Sequence, residues 1–295
     1  MKRRDAIRNT ALGLGAMSVA SACNANTEAK EEQLEQKTTE AMKGNINHSV
    51  CRWCYNDIPL EKLCEGAQDI GIKSIELTVP SEWDLLKKHN LTCALGTHDK
   101  ASLTEGFNNP KFHAALQETY IKLIDQAADG GIETIIVFSG NRGEISDEQG
   151  IENCAVGLDK VVKHAEQRDI QVVMELLNSK VNHPDYQCDK TPWGAALVDK
   201  LGSSNFKLLY DIYHMQIMEG DIIATIRKYK DYIGHYHTGG VPGRNEINLN
   251  QELNYPAIMK AIVETDYKGF VAQEFIPTYE DQLAALKEGV MICDV

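Results

Sequence analysis

Positive charge is in short supply: 30 Lys and Arg stand against 43 Asp and Glu, giving a net charge of −13 and a pI of about 5.2. No basic stripe runs along the chain. That excludes a phosphate-backbone binder and leaves no nucleic-acid partner; the acidity serves solubility. Long apolar runs are also missing. Hydrophobic residues make up 43% of the 295 positions, ample for a sizeable core but too little for a polytopic membrane protein. A second C-x-x-C is absent. Cys51 and Cys54 have no companion pair at zinc-ribbon spacing. The other cysteines are scattered among apolar segments and read as buried free thiols, although an exported location permits a Cys51–Cys54 disulfide. Finally, no glycine follows the first predicted strand, where CRWCYND replaces a phosphate-binding turn.

The first residues do not read as fold. MKRRDAIRNT is basic and carries Arg3-Arg4, ALGLGAMSVASA is short and weakly apolar, and Cys23 follows. This is the layout of an export signal over 1–23, with an apolar run too short to span a bilayer as a helix. It resembles a twin-arginine signal. Ala20-Ser21-Ala22-Cys23 resembles a lipoprotein cleavage box, with Ala20 where such boxes usually carry Leu, so a lipid anchor through Cys23 and simple cleavage both stay open. Residues 24–44 are polar and charged and read as a linker. The expected location is periplasmic or membrane-anchored.

Residues 45–295 form one rhythm and one expected domain. β-rich runs lie at 47–51, 73–78, 91–96, 133–139, 170–175, 206–211, 233–238 and 269–274. Between them, stretches such as KFHAALQETYIKLIDQAADGGI place apolar residues three and four apart. Glycines at 71, 130–131 and 269 mark helix ends or strand entries. Alternating β and α implies a parallel sheet with helical crossovers. Eight repeats in about 250 residues match a single (β/α)8 TIM barrel. An open doubly wound sheet fits less well, for want of a Gly-rich turn.

Barrel enzymes place their chemistry at the carboxyl-terminal strand ends. The last four runs end in Glu175, in Asp211 followed by His214, in His237, and in Glu274. Any one alone reads as a loop or core residue. Together, inside apolar runs, they imply buried charge that needs a partner or a metal. Three converging carboxylates would repel one another without a cation. Mixed oxygen and nitrogen donors suit one divalent Mn, Mg, Co or Zn ion. His235 and His237 are two apart and share a strand face. His237, nearer the rim, is the expected ligand, and His235 the hydrogen-bonded interior residue.

The stretches MELLN, YDIYHMQ, GHYHTGGVPGRNE, ELNYP and QEF resemble the hydroxypyruvate isomerase family, within the xylose-isomerase-like TIM barrel superfamily. The similarity runs from about residue 47 to the end and is strongest over 170–276. It implies a divalent metal held by Glu175, Asp211, His237 and Glu274, with the two glutamates doubling as acid and base. His214 and Arg244 match positions that contact substrate oxygens, and Glu252 matches a family motif. His237 departs from the hydroxypyruvate isomerases, which have Gln there, and matches the related ketose epimerases.

The chemistry agrees. A cation polarises a carbonyl and its neighbouring hydroxyl, and a carboxylate removes the acidified proton. Returning the proton to the adjacent carbon isomerises; returning it to the opposite face of the same carbon epimerises. The expected activity is therefore isomerisation of a small hydroxy-carbonyl compound through an enediolate. Epimerisation of a free or 3-keto sugar outside the cytoplasm is the alternative enzyme reading. A sugar-binding lipoprotein would not need both Glu175 and Glu274. His98, after the third run, is a further substrate-contact candidate, and Trp53, Tyr55, Trp83 and Phe138 are candidates for an apolar wall. Oligomerisation stays open. If 1–23 direct export, replacing Arg3 and Arg4 by Lys leaves precursor in the cytoplasm, and Cys23→Ala separates lipid anchoring from cleavage. Cell fractionation that finds the native protein cytoplasmic with its amino terminus intact refutes the signal.

Overall fold

The strand runs fold where their β-branched and aliphatic composition places them. In the computed structural model, which describes residues 42–295, seven parallel strands form one curled sheet in the order β2-β1-β7-β6-β5-β4-β3. They are β1 (Asn47–Cys51), β2 (Ser74–Glu76), β3 (Thr134–Val137), β4 (Gln171–Glu175), β5 (Phe206–Asp211), β6 (Ile233–Thr238) and β7 (Phe270–Gln273). The export signal at 1–23 and most of the 24–44 linker lie outside the described residues.

The run at 91–96 is not a regular strand, yet it closes the barrel. Thr92 bridges Ser74, and Gly96 bridges both Thr78 and Ile135, so the segment links the two sheet edges β2 and β3. Two local features interrupt its ladder. Ser74 Oγ accepts the Ala94 N–H at 2.8 Å, a bond a strand would give to backbone. Leu77, at the end of β2, sits in the left-handed region with φ 55°. The architecture is thus TIM-barrel-like, with seven regular strands and one bridging segment.

The crossovers run through α1 (Leu60–Ile70), α2 (Trp83–Lys88), α3 (His113–Gly130), α4 (Asp147–Arg168), α5 (Thr191–Leu201), α6 (Ile212–Met218), α7 (Ile222–Tyr229) and α8 (Tyr255–Val263), and α9 (Gln282–Cys293) follows β7. Gly71 and Gly131 cap α1 and α3 in the left-handed region, as their positions predict, and Gly269 precedes β7. The seven cysteines among the described residues are buried free thiols, Cys51 and Cys54 included.

Register fixes what reaches the rim. Asp211 pairs with His237 and Tyr210 with Tyr236, while a shift at Leu208/Leu209 sets His235 opposite Leu209. The residue passed over is Gly234, where a Cβ would stand 2.5 Å from Gln171 Oε1 and 2.8 Å from Lys207 Cβ. A cavity of about 760 Å³ opens at the other end of the barrel, among the strand starts Thr92, Thr134, Gln171, Asn205, Ile233 and Phe270. It lies at the face that barrels use for stability rather than chemistry.

Gly106 shows how tightly the loops beyond the strands meet. A Cβ there would lie 2.2 Å from Gly140 N and 2.3 Å from Ser139 C, both backbone atoms. Gly106→Ala is therefore expected to cost about 1–3 kcal/mol, the usual range for overpacking. For a domain of this size each kcal/mol lowers Tm by roughly 2–4 °C, which a thermal melt will read.

Candidate active site at the carboxyl-terminal rim

Each late strand delivers one polar side chain to the interior just as its apolar run ends. Glu175 closes β4, Asp211 closes β5, His237 lies one residue before the end of β6, and Glu274 follows β7. All four are buried, and one ligand atom from each falls within 4.8 Å of the others. His237 Nδ1 lies 2.9 Å from Glu274 Oε2 and 3.5 Å from Glu175 Oε1. The structure thus brings together the four residues expected to form a metal site.

Three carboxylates in one buried place cannot share the same charge state. Burial and the nearby Glu274 raise the Glu175 carboxyl. Burial pushes Asp211 well above the carboxylate range; Arg244 opposes this, and Glu274 and Glu175 add to it. Glu274 goes the other way: burial would raise it, but the Arg244 guanidinium and the His237 imidazole outweigh burial and hold it well below the usual range. Its oxygens are also engaged, Oε1 by the Trp53 indole N–H at 2.7 Å and Oε2 by Arg244 Nη2 at 2.5 Å. Glu175 Oε1, by contrast, is buried without a hydrogen-bond partner. A buried orphan oxygen beside two more carboxylates and an imidazole suits a divalent cation, and three oxygen donors with one nitrogen match Mn, Mg, Co or Zn.

Arg244 lies on the loop after β6, with its backbone at φ 59°. Its carbonyl accepts the Ile276 N–H at 2.7 Å. The guanidinium sits between the rings of Trp53 and Tyr213, 5.0 and 5.5 Å from their centroids, and reaches Asp211 Oδ2 at 3.4 Å. Trp53 therefore contributes a hydrogen bond and a stacking face as well as an apolar wall. Tyr55, Trp83 and Phe138 are core residues.

Asp211 has a second task. Its Oδ1 accepts the His214 N–H at 2.9 Å and caps α6. The Asn178 backbone N–H donates to His214 Nδ1 at 3.2 Å, so the ring proton sits on Nε2. That Nε2 is buried without a partner, 3.7 Å from Asp211 Oδ2. Burial and Arg244 keep His214 well below the ordinary imidazole range, so it is a neutral donor facing the rim.

Two expected contacts fall elsewhere. His98 is buried edge-on against Tyr120, its Nδ1 accepts the Lys100 N–H, and none of its hydrogen bonds reaches the cluster. Glu252 is exposed and accepts from Gln216 at 3.2 Å. The buried acid of that loop is Glu246, which accepts the Thr278 N–H and hydroxyl and ties the β6 and β7 loops together. Sequence reasoning missed Glu76. It ends β2 inside an apolar run, the same signal as in the late strands, and its buried Oε1 lies 2.8 Å from both His235 Nε2 and His237 Nε2.

Residues 64–291 match the family model "Xylose isomerase-like TIM barrel". The chain belongs to that family. It is 38% identical over 105 residues to the hydroxypyruvate isomerase of Escherichia coli K12, covering 35% of this chain and 40% of the relative. It is 24% identical over 238 residues to the 2-oxo-tetronate isomerase of Pectobacterium atrosepticum, covering 76% and 88%. Its fold superposes on a 3-keto-D-glucoside 4-epimerase from E. coli with TM-score 0.70 at 15% identity, covering 83% and 97%.

Asp211→Asn tests the cluster cleanly. Asn caps helices as well as Asp, so the variant removes charge while keeping the start of α6. It is expected to hold clearly less divalent metal than the native protein after both are loaded and dialysed, with elemental analysis as the readout. Equal metal content would refute Asp211 as a ligand.

Proposed function

We propose that this isomerase of the xylose-isomerase-like family depends on a divalent metal and interconverts a small hydroxy-aldehyde and its hydroxy-ketone, of the kind represented by hydroxypyruvate. The observation that carries the reading is the unequal pair of buried glutamates, Glu175 raised and partly unpartnered, Glu274 lowered and fully engaged, beside the free Nε2–H of His214. Environments that push two acids apart suit them to opposite halves of a proton transfer. The curated isomerases that the chain resembles support the same class of reaction.

Glu175, Asp211, His237 and Glu274 would hold the ion. When bound, it polarises the substrate's carbonyl and hydroxyl oxygens and acidifies the C–H bond between them. One glutamate takes the C–H proton, giving an enediolate. The hydroxyl proton passes to the former carbonyl oxygen, and the other glutamate delivers a proton to the neighbouring carbon. No oxidant or reductant is consumed. His214 Nε2–H donates to the developing oxyanion, and Arg244 receives an anionic or hydroxyl-rich end of the substrate. Trp53 and Tyr213 hold the guanidinium in place.

His237 favours a second outcome on the same machinery: return of the proton to the opposite face of one carbon, which is epimerisation of a keto sugar. Export directed by 1–23 would place either reaction outside the cytoplasm.

Glu175→Gln and Glu274→Gln decide the assignment. General acid–base groups contribute about 10²–10⁴ in rate, and each variant is expected to lose at least that with metal content measured in the same sample. In D₂O, the variant that keeps the abstracting glutamate still exchanges the substrate C–H, seen by NMR, without forming product; the other does neither. Native turnover by both variants with metal bound would refute the glutamate pair.

A further inference from the structure

We infer that Glu76 is a positioning residue that sets the tautomer and ring direction of His237 and so keeps its Nδ1 lone pair available to the rim. The inference rests on the metal reading above and goes beyond its four ligands.

Glu76 belongs to β2, and two strands, β1 and β7, separate β2 from β6. Its side chain therefore crosses the barrel interior to reach the histidines. Glu76 is fully buried, and Oε1 lies 2.8 Å from Nε2 of both His235 and His237. A carboxylate oxygen so placed accepts, so both Nε2 atoms carry protons. His237 then meets Glu76 with one ring edge and Glu274 and Glu175 with the other, at 2.9 and 3.5 Å from Nδ1. The ring cannot flip without losing its charge-assisted hydrogen bond to Glu76 in a dry interior, and the Nδ1 edge faces carboxylate oxygens that a lone pair tolerates only with a cation between them. Histidine ligands commonly donate their far N–H to a carboxylate, which fixes the tautomer and raises the basicity of the ligating nitrogen.

His235 completes the arrangement. It sits two residues before His237 on the same strand face, its ring packs edge-on at 5.3 Å from that of His237, and it lines the cavity at the amino-terminal end. Its bond to the same Glu76 oxygen holds the carboxylate from the side opposite the rim. The bridge has no counterpart on the other three cluster residues, because only the histidine has a second nitrogen to be directed.

The test uses the full chain stripped with chelator, titrated with Mn²⁺ by calorimetry. Glu76→Gln is expected to bind Mn²⁺ about 10–100-fold more weakly than the native protein, the range for lost partners of this kind, while keeping its circular dichroism. His235→Gln, which leaves the Glu76–His237 bond, is expected to lose less. Equal affinity in native protein and Glu76→Gln overturns the inference and leaves the metal reading standing. No Mn²⁺ binding by native protein overturns both. If Glu76→Gln does not fold, ¹⁵N-histidine NMR of the native protein with Zn²⁺ decides: protonated Nε2 and metal-shifted Nδ1 on His237, assigned through His237→Gln, support the inference, and the reverse pattern overturns it.

Discussion

Three carboxylates lie buried within reach of one imidazole, and the excess negative charge they create shapes the whole rim. A dry interior tolerates such a group only if protons, cations or hydrogen-bond donors offset it. The chain supplies each in turn: Arg244 against Glu274 and Asp211, the Trp53 N–H against Glu274, and the His237 ring beside Glu274. Even so, Glu175 keeps an oxygen without a donor. The rim thus keeps more acceptor oxygens than donors to meet them, which is the electrostatic form of a site that accepts a cation.

The barrel makes this arrangement affordable in structural terms by confining it to one end. Below the rim most of the buried strand residues are apolar, and the opposite end holds a cavity among the strand starts. The polar thread through the interior is the Glu76–His235–His237 cluster, all three members buried. Packing sets the positions of the strands, and the strands set the distances among the acids; the reverse dependence would leave repulsion free to open the rim.

Much of this was legible in the sequence for one reason. A charged residue that ends an apolar β run has few places to go except the carboxyl-terminal rim of a barrel, so Glu175, Asp211, His237 and Glu274 declared themselves. Glu76 obeys the same rule in a strand only three residues long, too short an apolar run for its end to stand out. The third run could not be seen as irregular, because its interruption comes from a Ser74 hydroxyl on a different segment. Glu252 shows what a motif leaves open: it places a residue in a loop but does not say which acid of that loop turns inward, and here Glu246 does. Trp53 looked like an apolar wall, since an indole's donor finds its acceptor only in three dimensions.

Asp211 belongs to two structures at once. One oxygen holds the first turn of α6 and the other faces the rim. A change of charge at the rim therefore acts on the lifetime of that capping bond, and with it on how firmly the helix start is wound. Tyr213 and His214 ride on that turn, so the stacking face for Arg244 and the neutral donor of the site tighten or fray together. Through this one carboxylate, the electrostatics of the rim gain leverage over the order of a helix without a hinge or a moving domain.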